Sequence, residues 1–187
     1  MTKGNLNKEI NKVIRERLAN GQNKAEIFNY LKTKFDNDVL SARLLTISPY
    51  PQDCQKCRKL NKVLIAILVV ITIAKVLFAA EFIMLRIPKA IPLLIIVPLI
   101  NIYLIYLVAK FNILGYWLTV LFGLLGFCKI ADGLGDAPST VNIIIAAVMT
   151  LLMVTAIILS VVLYRRLLPN SSFFPRPKKK EAGEYIF

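Results

Sequence analysis

Hydrophobic positions change their spacing near residue 63. Ahead of it, apolar side chains recur at helical intervals in a polar chain. From residue 63 to 164 they run almost without interruption. A bilayer's hydrocarbon core is about 30 Å thick, and a helix needs about 20 apolar residues to cross it. The apolar block divides into four runs of that length, 63–85, 90–109, 113–130 and 142–164. Charge, proline and glycine mark the breaks: Arg86, Pro88 and Lys89, then Lys110 and Asn112, then Asp132, Gly133, Gly135, Asp136 and Pro138, as loops do. Lipid offers the backbone no hydrogen-bond partner, so the runs are expected to be helices. The fourth carries no charge from Asn142 to Tyr164, unlike a soluble helix with a polar face.

Residues 1–48 predict three short helices. Leu6, Ile10, Val13, Ile14 and Leu18 make the stripe of the first. Asn20-Gly21 ends it, since both residues tolerate the left-handed conformation. Asn23 with Glu26 has capping-box spacing for the second helix, whose stripe is Ile27, Phe28, Leu31 and Phe35. Asn37 or Asp38 is expected to cap the third, with Leu40, Leu44 and Ile47 on its face. Pro49-Tyr50-Pro51 stops it. Asp53 is then expected to cap a helix starting near Cys54 and running into the first span. The reading is all-α: a three-helix cytosolic module (1–48), a basic juxtamembrane connector (49–62), a polytopic domain of four transmembrane helices (63–164), and a basic, disordered tail (165–187). A module of fewer than 50 residues buries little and needs something to lean on.

Charge orients this arrangement. The 187 residues carry a formal net charge of +13, and residues 1–62 alone hold 13 basic and 6 acidic side chains. Lysine and arginine accumulate on the cytoplasmic side of spans. Lys56, Arg58, Lys59, Lys62, Lys110, Arg165, Arg166, Arg176 and Lys178 to Lys180 fall on one side, and only Arg86, Lys89 and Lys129 on the other. Both termini are therefore predicted in the cytoplasm of a plasma or inner membrane. Lys56, Arg58, Lys59, Lys62, Arg165 and Arg166 are the expected contacts to anionic headgroups. No nucleic-acid motif accompanies the positive charge, so no nucleic-acid partner is expected. Residues 1–62 hold no apolar run of signal-peptide length, which leaves the first span as the insertion signal.

Within the apolar block a few residues break the pattern. Lys75 lies inside the first run, and an ionisable residue there marks a candidate functional site. Asn101 and Tyr103 on the second span are its candidate partners, with Tyr106; the alternative is a first span that ends early, with Lys75 snorkelling outward beside Glu81. Pro98 frees a carbonyl and kinks its helix. Gly115, Gly123 and Gly126, with the small-residue spacings Ala146/Thr150 and Ala156/Ser160, permit close helix approach. Tyr116, Trp117 and Tyr164 read as interface anchors.

Chemistry is sparse. The chain has no histidine, the commonest general base and metal ligand. Cys54-Gln55-Lys56-Cys57 is a single C-x-x-C, half of a closed zinc site. It would need a second copy to supply four thiolates, or it serves as a juxtamembrane acylation pair. Asp132-Gly-x-Gly-Asp136 reads as a turn, short of the oxygens calcium wants. The terminal Glu184-Tyr185-Ile186-Phe187 is apolar enough to add as a strand to a partner. No cofactor and no enzymatic activity are expected. The expected function is that of a scaffold, assembly factor or accessory subunit acting on a membrane or cytosolic protein partner through the module and tail. The alternative is a self-associating homo-oligomeric channel, holin-like permeabiliser or transporter, built on Lys75, the prolines and Asn101.

Overall fold

The computed structural model describes residues 3–35, 38–84, 91–133, 140–168, 178–179 and 185–186. Seven helices account for nearly all of them: α1 (Lys3–Ala19), α2 (Lys24–Lys34), α3 (Asp38–Thr46), α4 (Pro51–Met84), α5 (Ile91–Ala109), α6 (Ile113–Gly133) and α7 (Thr140–Leu167). The strands β1 (Lys178–Lys179) and β2 (Tyr185–Ile186) follow. The chain divides into two compact units, Met1–Cys57 with Arg165–Phe187, and Arg58–Tyr164.

In the first unit, α1 to α3 close round one core. The stripe Ile10, Ile14 and Leu18 of α1 meets Ile27, Phe28, Leu31 and Phe35. Helix α3 is rotated from its expected face. It buries Ala42 and Leu45, with Leu40 and Leu44 only partly covered. α1 ends as the Asn20-Gly21 pair predicts. Gly21 has φ +76°, and its N–H donates to the Leu18 carbonyl while Gln22 donates to Arg17, the two bonds of a Schellman stop. Asn23 caps α2, its Oδ1 accepting from the Ala25 N–H. Asn37 lies outside the described residues.

The start of α4 corrects two expectations. Helix begins at Pro51, not near Cys54, so Asp53 is a first-turn residue and not the cap. The Tyr50 carbonyl takes the Asp53 and Cys54 N–H groups. Proline lacks the N–H that would be orphaned at a first helical position, and its φ is already helical. The connector is accordingly the first third of one 34-residue helix, about 51 Å long and longer than a bilayer core. Glu81 lies within it, so the helix does not end before that residue.

In the second unit, α5 and α6 form a hairpin. Phe111 takes the left-handed conformation, φ +53°. Its N–H donates to Val108 and that of Asn112 to Leu107, a second Schellman stop, built without glycine at a cost of about 1 kcal/mol. Asn112 Oδ1 then caps α6 at Leu114 N. A Cβ at Gly115 would meet Leu107 Cβ and the Val108 nitrogen at 2.9 Å. Gly123 faces Ile157 and Gly126 faces Met153 of α7, so α6 and α7 run antiparallel. α6 continues to Gly133, past the break read at Asp132. Residues 85–90 and 134–139, which hold Arg86, Lys89, Gly135, Asp136 and Pro138, lie outside the description.

Among the described residues two helices are long and apolar enough to cross a membrane, Pro51–Leu77 and Ile143–Leu167, and only 22% of each most apolar window is buried. Large side chains such as Val70, Ile73, Leu99, Leu124 and Leu151 face outward.

Of the tail, Lys178–Lys179 and Tyr185–Ile186 are described, and they pair with each other as an antiparallel ladder.

Candidate functional site

The best-connected polar group of the second unit is Asn61. It lies on the core face of α4, one position before Lys62, and is 3% exposed. Its Nδ2 donates to the Val108 carbonyl at 3.0 Å, one of the carbonyls a helix end leaves open. Its Oδ1 accepts from Tyr116 Oη at 2.7 Å. Three helices are thus tied at one end of the unit. Tyr116 is fully buried, which corrects its reading as an interface anchor: its hydroxyl is used inside. Asn61 was legible only as a polar residue interrupting a basic stretch. Its neighbours gave no hint that its own direction points inward. A buried amide with both ends bonded fixes helix register rather than performing chemistry. Nearby, Thr119 Oγ1 bonds the Gly115 carbonyl, and among the described residues the buried Ser160 Oγ has no partner.

Lys75, Asn101 and Tyr103 do not converge. Lys75 is half-buried on α4, fourteen residues beyond Asn61, about 21 Å along the helix. Asn101 stands seven residues from Val108 on α5, about 10 Å along it. The difference leaves about 10 Å of depth between them. Among the described residues no hydrogen bond joins Lys75 to Asn101 or Tyr103, and the buried Nδ2 of Asn101 has no acceptor. Tyr103 points outward and stacks on Tyr106 at 6.5 Å between centroids. The Lys110 ammonium lies over the Tyr106 ring at 4.4 Å and donates to its hydroxyl.

The headgroup candidates Lys56, Arg58, Lys59, Lys62, Arg165 and Arg166 are all exposed. Lys56 approaches the half-buried Asp53 at 3.8 Å from an exposed position, a surface pair of little energetic weight.

Among the described residues of the first unit one cation is buried. Lys24, the first residue of α2, is 7% exposed. Its ammonium lies 5.2 Å from the Tyr50 ring centroid, and its backbone N–H donates to Tyr50 Oη at 3.3 Å. Burial lowers its pKa to about 8, with Asp53 pulling the other way. Cys54 is half-buried and Cys57 buried, both as free thiols. Among the described residues no three metal-ligating side chains gather.

No family model matches this chain, and neither a curated protein nor a solved structure does.

Proposed function

We propose that this chain is a non-enzymatic integral membrane protein. In this reading four helices cross the bilayer, and the α1–α3 bundle and the tail are held in the cytoplasm as docking surfaces for a protein partner. The observation that carries it is the contrast between the two units. The first keeps a continuous apolar core under a polar surface. The second turns large apolar side chains outward along every helix, which soluble monomers rarely do over so wide an area. The hairpin supports four spans: α5 has 19 residues and α6 has 21, about 28 and 31 Å, close to one hydrocarbon thickness. The exposed cations at 56–62 and 165–166 then lie among anionic headgroups.

α4 is one continuous helix from Pro51 to Met84, so the chain that leaves the bundle enters the first span without a helix break. The test is purification of the full chain in mild detergent. A stoichiometric foreign subunit is expected, with its retention lost when the α1–α3 surface is altered.

The half-buried Lys75 and the orphaned Asn101 amide favour a second reading, a homo-oligomeric channel or transporter, in which another copy completes the polar path. Ion flux in liposomes that disappears in Lys75→Leu, from a protein purified as a ring of itself, would overturn the scaffold.

A further inference from the structure

One face of α5 is arranged from Ile96 to its C-terminal end, and Lys110, the next residue after the helix, continues the line. Ile96, Leu99, Tyr103, Tyr106 and Lys110 follow one another at three- and four-residue steps, which stacks them on one side of a helix. The first four are each more than half exposed, and Lys110 is exposed as well. The opposite face, with Leu104, Leu107 and Val108, is buried. The stripe is therefore graded: aliphatic at the bottom, two stacked tyrosines in the middle, and a phenol with an ammonium on its ring at the top. The top is also the positive end of the unit. The Asn61 bond to Val108 sets the α4 turn carrying Arg58 and Lys62 beside the last turn of α5. Among all residues from 54 to 131 the sequence has one acid, Glu81, twenty residues beyond Asn61, about 30 Å along α4.

We propose that this stripe is a track for one anionic phospholipid. The phosphate sits at the Lys110 ammonium and Tyr106 hydroxyl, and an acyl chain runs down over Tyr103, Leu99 and Ile96. This rests on the membrane reading and gives it a specific ligand. The chemistry follows from the gradient. An ammonium and a phenol both donate to phosphate oxygens, tyrosine prefers the boundary between headgroups and chains, and the aliphatic remainder faces lipid without cost. A zwitterionic lipid offers the same phosphate but brings its own cation to an end already rich in charge.

The experiment is native mass spectrometry of the full chain in detergent, given equal amounts of phosphatidylglycerol and phosphatidylcholine with identical acyl chains. One phosphatidylglycerol is expected to be retained in preference. Lys110→Gln reduces that preference about tenfold and Tyr106→Phe about threefold, while Lys110→Arg keeps it and guards against misfolding. Lys8→Gln on α1 removes the same net charge far along the chain and leaves the preference intact. An equal loss in Lys8→Gln would mean diffuse attraction and overturn the site. Displacement by millimolar inorganic phosphate would make it a free-phosphate site, and a dimer broken by Lys110→Gln with no lipid bound would make it a self-interface; either overturns the proposal. Failure of the chain to partition into vesicles would remove the membrane reading itself. Partitioning with equal retention of both lipids would remove only this inference.

Discussion

Lys24 is the residue where burial and charge are most at odds. Its ammonium is held by an aromatic face and by Asp53 at longer range, neither of which restores the lost water. Its folded pKa of about 8 lies below the ordinary 10.5, so between those values the unfolded chain binds more protons. Stability of the first unit should therefore rise with pH from about 8 and level off above about 10.5, by at most about 3 kcal/mol. Below pH 8 this group contributes no slope. Lys24→Met is expected to flatten the profile and to stabilise the unit at pH 7, since apolar bulk replaces a desolvated cation. Pulse proteolysis of the first unit within the full chain, in urea between pH 7 and 10.5, reads both. A wild-type resistance that falls over this range would refute the assignment.

The same residue shows what pattern reading sees and misses. The stripes of α1 and α2 were legible because 3.6-residue periodicity reports a face directly. Lys24 was not, because a lysine beside a good N-cap looks solvated, and Tyr50 lies 26 residues away. Asn61 failed for the same reason: the carbonyl it bonds is 47 residues distant. Pro51 failed differently. Proline was taken only as a stop, yet the residue that ends one helix suits the first position of the next. Lys75 stood out as a charge in an apolar run, but chain position carries no information on depth relative to Asn101.

At the scale of elements, small residues were read as permission for helices to approach, and Gly115, Gly123 and Gly126 of α6 use that permission unequally. At Gly115 an added methyl meets backbone, the Val108 nitrogen at 2.9 Å, which cannot step aside. At Gly126 it meets the Met153 Cε at 2.9 Å, the end of a flexible chain. Gly123 faces Ile157 Cγ1 at 2.7 Å, a stiffer β-branched neighbour. Gly115→Ala should force α5 from α6 and strain the Asn61–Val108 bond, costing about 2 kcal/mol or more. Gly126→Ala should fall within about 1 kcal/mol of wild type, since alanine also favours the helix. Unfolding of the full chain in mixed micelles, followed by its single tryptophan, Trp117 on α6, ranks them. Equal effects would mean that the α5–α6 contact is looser than this packing.

At the scale of the whole molecule the question is how many helices cross. The location of the termini does not answer it, because two spans and four spans both return the chain to its starting side. The α5–α6 turn does answer it. If only α4 and α7 cross, residues 110–112 stay on the outer side. If all four cross, the turn returns to the side of Arg58 and Lys62, where the positive charge of Lys110 belongs. The Asn61–Val108 hydrogen bond favours the second arrangement, since it holds the end of α5 against the basic first half of α4. Asn112 is exposed in this turn and suits a reporter. In a chain with Cys54, Cys57 and Cys128 changed to serine, Asn112→Cys should resist a membrane-impermeant maleimide in intact cells and react once the membrane is opened. Labelling of intact cells would put the turn outside, reduce the chain to two spans, and move the Lys110–Tyr106 site to the opposite leaflet.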